Sequence, residues 1–304
     1  MSKSIYKTRK RNSKKKSKKK RKISLEEIGK CHPRSTSKNK CLPDTVYSEL
    51  SSKLKGNNGN NGNNRNNGNN GNNQDVFELV GCKTGEEHCL LDKAPLEDNV
   101  KKELRKQYLR PKYPKAWEKD PDMWLDNYNI GDVMRQYEET YPWFTFLGIL
   151  PIDFSAPNPY KQNGTQECLY KESCELNLKN EYNKGKRGIG IIFNLDPHFK
   201  GGSHWVGLYI NLTSIKKPFI GYFDSYGYKT PPLIARLMRS FRLQIPSCEL
   251  GYNARRFQFS NSECGMFSMY FIICMIHGIP FKDFCKDSVN DQYMLQLRHV
   301  LFAK

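Results

Sequence analysis

QFSNSECGMFSMYFIICMIHG, residues 258–278, sets a cysteine directly before a glycine and a long apolar run. From 264 to 277 the run is apolar on nearly every side, which predicts a helix buried in the centre of a domain. A thiol becomes a good nucleophile when a helix N-terminus or a nearby imidazole lowers its pKa. We therefore treat Cys264 as a candidate nucleophile, against the more common alternative of a buried core thiol.

Among the six histidines, His204 is the best placed to activate that thiol. It opens the predicted strand HWVGLYINL, which a short loop joins to a second strand ending in FDSYG. An antiparallel hairpin that turns around Ser214 would set His204 opposite Asp224, and opposed side chains have Cβ atoms about 4.5–5.5 Å apart. A Cys-His-Asp triad is therefore predicted, in which Asp224 holds the imidazole in its useful tautomer. The same register pairs side chains of like kind: Trp205 with Phe223, and Leu208 with Ile220.

Two donors are predicted for the negative charge that develops on a substrate carbonyl oxygen. One is the backbone N–H of Cys264, and the other is the side-chain amide of Gln258. Each signal is weak alone, because a histidine that opens a strand is ordinarily structural and an aspartate in DSYG is most often a turn residue. His198, in DPH, is a second candidate imidazole, although no partner of matching register is evident for it.

The positive charge of the chain is concentrated at its beginning. The 304 residues carry a net charge of +19, and thirteen Lys and Arg lie between Lys3 and Lys22 without any acidic residue, which leaves +6 for the rest. Such a segment buries no apolar surface, so the tail over 1–30 is predicted to be disordered. It is expected to bind nucleic acid or another polyanion, to serve as a nuclear-import signal, or to act only as a solvated tail.

Composition divides the chain into four predicted parts. A low-complexity linker region, 31–74, follows the tail and contains GNNGNNGNNRNNGNNGNN. A helical N-terminal region, 75–118, contains LEDNVKKELRKQYL, and a larger domain spans 119–304. That domain is predicted to be α+β, with helices in MWLDNYNIGDVMRQYEETY and PPLIARLMRSFRLQI, and strands in RGIGIIFNL, SHWVGLYINL, FIGYFDSYG and RRFQF.

Ten cysteines are spread over the chain. Because the sequence has neither a secretory signal nor an apolar run of the roughly 20 residues that a membrane span needs, we expect a soluble protein in a reducing compartment, with no membrane contact. All ten cysteines are then expected to be free thiols. Neither a metal nor a cofactor is predicted, since the two groups considered for zinc have no CxxC spacing and no evident fourth ligand: Cys82, His88 and Cys89, and the pair Cys168 and Cys174.

Four motifs, in order, resemble those of a family of cysteine proteases that includes SUMO-specific and other ubiquitin-like-protein proteases, the adenovirus protease and the core-protein proteases of large DNA viruses. WLDNYNIGDVM resembles the family's Trp-Leu-Asn-Asp motif, with Asp126 and Asn127 exchanged. HWVGLYI resembles its His-Trp strand, FDSYG its acidic member, and QFSNSECGMF its Gln-to-Cys block. Within the family the arrangement looks most similar to the polyprotein proteases of African swine fever virus and giant viruses.

The resemblance implies a papain-like protease core in which a central mixed sheet packs on a buried helix that starts at the nucleophile. It implies that His204, Asp224 and Cys264 are catalytic and that Gln258 lies in the oxyanion hole. Trp124 and Trp205 would bind substrate, by roofing a channel too narrow for side chains larger than hydrogen. The implied activity is cleavage after Gly-Gly in viral structural or core polyproteins during virion maturation, in the virion or in the viral factory of the host cytoplasm.

Two other functions stay open at this point. The same triad would serve a deconjugating isopeptidase for SUMO or ubiquitin-like proteins. Alternatively, the chain is a non-enzymatic, basic virion-core protein on a protease scaffold.

Overall fold

The computed structural model describes residues 22–37, 40–56, 72–161 and 167–304. Residues 1–21 of the basic tail and the Asn/Gly repeat from 57 to 71 lie outside the described residues. For residues 22–30 the prediction of disorder is wrong, because they include the helix Leu25–Ile28 and the buried side chain of Ile23. Within the described ranges, no helix combines the length and the apolar character needed to cross a membrane.

A five-stranded mixed sheet lies at the centre of the described chain, as predicted. The order of the strands in the sheet is their order in the sequence: β1 (Phe144–Pro151), β2 (Gly188–Asn194), β3 (Trp205–Asn211), β4 (Phe219–Phe223) and β5 (Glu249–Tyr252). The two outer pairs, β1–β2 and β4–β5, are parallel, and the two inner pairs are antiparallel. Strand β1 lies in a region for which helices and loops are predicted, and the strand predicted at RRFQF is instead β5, a few residues earlier.

Twelve α-helices surround the sheet in the described residues: α1 (Leu25–Ile28), α2 (Asp44–Gly56), α3 (Asn72–Leu79), α4 (Glu87–Lys93), α5 (Asp98–Tyr108), α6 (Asn127–Thr140), α7 (Lys171–Cys174), α8 (Leu178–Asn183), α9 (Pro232–Gln244), α10 (Cys264–Ile276), α11 (Phe281–Phe284) and α12 (Asp291–Leu301). Every residue of α10 is buried, because its apolar surface is covered by the sheet on one side and by α6 and α12 on others. The opposite face of the sheet packs on α8 and α9. This is the predicted α+β core, with a buried helix that starts at Cys264.

The hairpin of β3 and β4 has a different register from the predicted one. Gly207 pairs with Phe223 and Ile210 with Ile220, so the pairing is shifted by two residues. Because successive side chains alternate between the two faces, a shift of two keeps every side chain on its predicted face. Extended past the strand ends, the observed register sets His204 opposite Tyr226 rather than opposite Asp224.

The linker expected over 31–74 starts later than predicted. Leu42, Tyr47 and Leu50 are buried in a cluster with Phe77 and Leu90, so residues 40–50 pack with α3 and α4. The Asn/Gly repeat dominates the composition of this region and conceals the amphipathic pattern of α2. The predicted boundary between 75–118 and 119–304 stays a prediction.

Six of the ten cysteines form disulfides, so the prediction that all are free thiols is wrong. The bonds join Cys31 to Cys41, Cys82 to Cys89, and Cys168 to Cys174. The Cα atoms in these pairs are 5.0, 5.9 and 6.5 Å apart, distances that a disulfide spans without backbone movement. Composition does not reveal such distances. The bonds also engage the cysteines of both groups that were considered for zinc.

Candidate active site

Three elements bring the predicted catalytic residues together at one edge of the sheet. His204 directly precedes β3, Asp224 directly follows β4, and Cys264 is the first residue of α10. Helix α10 lies close against β3 because Gly207 has no side chain: a Cβ there would lie 2.9 Å from the ring of Phe271. Cys264 and Asp224 are buried, and the side chain of His204 is 12% exposed.

The imidazole of His204 is oriented by Asp224. Its Nε2 lies 3.0 Å from Asp224 Oδ1, which leaves Nδ1 as the nitrogen that faces the thiol. Burial alone lowers the pKa of His204, but hydrogen bonds to Asp224 and Cys264, and the charges of these two groups, outweigh it and raise that pKa to about 9. The imidazole of His204 is therefore placed to carry a positive charge beside the candidate nucleophile.

Asp224 is held in place by two residues that are not among the predicted site residues, Tyr226 and Asn253. Its Oδ1 also accepts a hydrogen bond of 2.8 Å from the backbone N–H of Tyr226. Its backbone N–H donates to Oδ1 of Asn253, and the side-chain amide of Asn253 donates to the carbonyl of Asp224, both at 2.8 Å. Asn253 is buried and lies 29 residues further along the chain, so only the fold brings the two together.

Gln258 lies in the same network and is fully buried. Its Oε1 accepts a hydrogen bond of 2.6 Å from the hydroxyl of Ser225. Its Nε2 donates to the carbonyl of Ser260 at 3.1 Å and to the hydroxyl of Tyr226 at 3.3 Å. Both amide hydrogens therefore have protein partners, and an oxyanion would have to replace one of them.

Glu263, the residue before the candidate nucleophile, forms a buried ion pair. Nε of Arg298, on α12, lies 3.0 and 2.9 Å from the two carboxylate oxygens of Glu263. Each side chain is 1% exposed, and the guanidinium carbon lies 4.6 Å from the ring centroid of Trp117. This pair anchors the start of α10 to the C-terminal helix. Sequence patterns do not predict it, because 35 residues separate its members.

The two tryptophans predicted to bind substrate lie in different environments. Trp124 is 48% exposed, whereas Trp205 is 6% exposed and donates its indole N–H to the carbonyl of Leu125 at 3.0 Å. Gly265 packs against Leu125 and Trp205, and a Cβ on this glycine would come within 2.9 Å of Leu125 and 3.2 Å of Trp205. Of the two rings, that of Trp124 is exposed and that of Trp205 is part of the packed interior. Asp126, the residue exchanged relative to the family motif, caps α6 by accepting from the backbone N–H of Asn129 at 2.7 Å.

His198 has a carboxylate partner that the sequence did not suggest. Its Nδ1 lies 2.7 Å from Oδ2 of Asp153, a residue that follows β1. This second histidine therefore belongs to a separate pair in the loop between β2 and β3. In the described part of the chain, no group of three or more His, Cys, Asp or Glu side chains is arranged to hold a metal ion.

A cysteine at the start of a buried helix, a histidine before one strand and an aspartate after the next form an arrangement that papain-like cysteine proteases use. Residues 160–301 match the C-terminal catalytic domain of the Ulp1 protease family. This part of the chain is therefore similar to the cysteine protease domains of the Ulp1 type.

Two relatives of the chain are viral proteins. The chain is 30% identical over 188 residues to the putative thiol protease R355 of Acanthamoeba polyphaga mimivirus, a match that covers 59% of this chain and 56% of that protein. The chain thus spans little more than half the length of this relative. It is 22% identical over 286 residues to a cysteine protease of African swine fever virus, covering 90% of this chain and 94% of the relative. The same protein of another isolate of that virus is named a SUMO-1 cysteine protease.

The fold is also that of a solved structure. The crystal structure of the African swine fever virus protease superposes with a TM-score of 0.65 at 19% identity, over 90% of this chain and 96% of that chain. The likeness therefore includes the helical N-terminal region as well as the sheet and α10.

Proposed function

We propose that this chain is a cysteine endopeptidase that cleaves after Gly-Gly in viral structural or core polyproteins during virion maturation. The observation that carries the proposal is the orientation of His204: Asp224 binds one ring nitrogen and the other faces Cys264. The arrangement has the parts that thiol-based acyl transfer requires, namely a nucleophile, an imidazole that transfers protons and a carboxylate that orients it.

In the proposed reaction, Sγ of Cys264 attacks the carbonyl carbon of the scissile peptide bond. The proton on Nδ1 of His204 passes to the departing amine as the C–N bond breaks, leaving a thioester. A water molecule then attacks the thioester carbon while Nδ1 takes its proton, and the S–C bond breaks to release the new carboxyl group. The backbone N–H of Cys264 and, after leaving one of its present partners, the amide of Gln258 would stabilise the oxyanion.

The Gly-Gly preference rests on the rings of Trp124 and Trp205, which the family resemblance places over the substrate, and not on Gly265, whose surroundings are filled by the protein itself. Leu125 and Trp205 pack so closely on this glycine that a single added carbon atom would not fit. Trp124 lies nearby in sequence with its ring exposed. A peptide that passes beneath the ring of Trp124 is proposed to have room for a backbone without side chains.

The proposed substrates, and the proposed location in the virion or the viral factory, are supported by the viral origin of the relatives. The basic segment Lys3–Lys22 would hold the enzyme on nucleic acid and raise its concentration near packaged substrates. Deleting residues 1–21 should leave peptide hydrolysis unchanged and reduce processing of DNA-associated substrate only. The deletion stops there because the carbonyl of Ile23 accepts hydrogen bonds from the hydroxyls of Tyr270 and Tyr293, at 2.9 and 2.6 Å.

The decisive experiment is hydrolysis of a fluorogenic peptide that ends in Gly-Gly, beside a matched Ala-Ala peptide. Turnover should be lost in Cys264→Ser and kept in Cys248→Ser, since Cys248 is also a buried free thiol but lies before β5. Equal cleavage of the Ala-Ala peptide would refute the specificity. Equal activity of the two cysteine variants would refute the assignment of Cys264 as the nucleophile.

A SUMO-directed isopeptidase is the second candidate, favoured by the name of one African swine fever virus relative. Full-length SUMO and ubiquitin fusions, tested in the same assay, separate the two functions. Preference for a fusion over the peptide would favour the isopeptidase. Salt-dependent DNA binding without hydrolysis of any substrate would favour the non-enzymatic core protein.

A further inference from the structure

Tyr226 contacts three of the four candidate catalytic residues, although it is not among the predicted site residues. We propose that Tyr226 is a positioning residue: its ring fixes the imidazole of His204 and its hydroxyl orients the amide of Gln258. This inference rests on the proposed protease function and adds a residue that acts through the catalytic groups rather than on the substrate.

The ring of Tyr226 lies against the imidazole of His204. The two ring centroids are 5.0 Å apart and the planes are inclined by 30°. The register of β3 and β4, extended past the strand ends, sets these two residues opposite each other. A protonated imidazole over a phenol ring gains a cation–π attraction, and the ring opposes rotation of the imidazole away from Cys264.

The backbone of Tyr226 binds the same carboxylate oxygen as the histidine. Its N–H donates to Oδ1 of Asp224 at 2.8 Å, while Nε2 of His204 lies 3.0 Å from that oxygen. The turn that contains Asp224 therefore also fixes the backbone position from which the side chain of Tyr226 extends. Loss of the side chain alone would leave this backbone contact in place, so the side chain can be tested separately.

The hydroxyl of Tyr226 connects the histidine to the oxyanion side of the site. It donates to the carbonyl of Ser260 at 3.0 Å and accepts from Nε2 of Gln258 at 3.3 Å. The guanidinium carbon of Arg256 lies 5.3 Å from the ring centroid. Burial, and then the charge of Cys264, raise the pKa of Tyr226, so the phenol keeps its proton at neutral pH.

The test compares Tyr226→Phe, which removes only the hydroxyl, with Tyr226→Leu, which also removes the ring. Tyr228→Leu is the matched control, because Tyr228 is 65% exposed and its ring lies 5.8 Å from that of Tyr226. Two readouts are taken: kcat and KM on the Gly-Gly peptide, and the pH dependence of Cys264 alkylation by iodoacetamide, followed by peptide mass spectrometry. Alkylation needs no substrate and reports the charge state of the His204 and Cys264 pair.

Tyr226→Phe should lower kcat about tenfold with KM unchanged, since one hydrogen bond to the Gln258 amide is lost, and should leave the alkylation profile unchanged. Tyr226→Leu should lower kcat about a hundredfold and move the alkaline limb of the alkylation profile to lower pH. Wild-type kcat in Tyr226→Phe would overturn the proposal, as would equal effects of the two leucine variants. If Tyr226→Leu fails to fold, the kcat of Tyr226→Phe still tests the proposal.

Failure of the protease function has a different signature. The wild-type chain would then cleave no peptide, while the alkylation profiles would still show whether Tyr226 positions His204. An alkylation profile that is the same in wild type and Tyr226→Leu would refute the inference in that case too.

Discussion

Replacing Arg298 with methionine would leave Glu263 as a buried carboxylate without its partner, directly before the candidate nucleophile. Arg298 approaches both oxygens of Glu263 within 3.0 Å, and each side chain is 1% exposed. Removing one member of such a pair costs about 3–5 kcal/mol of folding free energy, because the remaining charge stays out of water. A loss of that size lowers the folding equilibrium constant by at least about a hundredfold.

The loss of folding free energy in Arg298→Met should depend on pH. Burial raises the pKa of Glu263, and the hydrogen bonds and charge of Arg298 oppose that increase. Without Arg298 the pKa rises further, so the folded variant binds a proton that the unfolded chain releases at a lower pH. A carboxyl group with a raised folded pKa stabilises the fold at low pH and ceases to do so as pH rises. Arg298→Met should therefore be closer to wild type at pH 5 than at pH 8.

The assay is urea unfolding at both pH values, followed by fluorescence. The matched comparison is the double variant Glu263→Gln with Arg298→Met, which removes both charges and should recover most of the lost stability. Arg34→Met is the surface control. It breaks a half-exposed ion pair with Glu139 and should cost less than about 1 kcal/mol. The reasoning is refuted if Arg298→Met unfolds like wild type at pH 8, or if the double variant is no more stable than the single one.

Three further predictions concern the site. The pKa of His204 is about 9 in the folded protein, above the value of about 6.5 in the unfolded chain. Protonation of His204 therefore stabilises the fold by about 3 kcal/mol below pH 6.5, and this contribution disappears as pH rises through 9. In His204→Gln, the urea unfolding midpoint should change less between these pH values than it does in wild type. Gly227 has a φ of +78°, and a Cβ there would lie 2.8 Å from the backbone of Arg255. Gly227→Ala should therefore lower the free energy of unfolding by more than about 1 kcal/mol, and should reduce kcat by moving the turn that contains Asp224. An unchanged urea unfolding midpoint and an unchanged kcat would contradict this prediction. Trp124→Ala should keep the unfolding midpoint, within about 0.5 kcal/mol, while raising KM for the Gly-Gly peptide; an unchanged KM would remove Trp124 from the substrate channel.

The elements that could be predicted are those with a strong local pattern. Helix α10 is apolar on all sides and α9 has one apolar face, and strands β2, β3 and β4 are rich in β-branched and aromatic residues. Strand β1 escapes prediction because its residues follow a long helical region and include Gly148 and Pro151. The predicted register of the hairpin is wrong by two residues, since two registers that differ by two present the same alternation.

The support around the candidate triad could not be predicted, because it consists of contacts between distant parts of the chain. Asn253 holds Asp224 across 29 residues, and Arg298 holds Glu263 across 35. Periodicity and motif spacing contain no information on such pairs. The contact between Tyr226 and His204 is more local, since the correct register of the hairpin alone sets these two residues opposite each other.

Helix α10 has a consequence for how long the enzyme would keep its activity. Its 13 residues are all buried, and the candidate nucleophile is the first of them. A segment covered in this way opens only when the whole domain unfolds, so its amide hydrogens would exchange with solvent at the slowest rates in the molecule. The position of Cys264 would then be kept for as long as the native state persists. Irreversible inactivation would proceed at the rate of global unfolding.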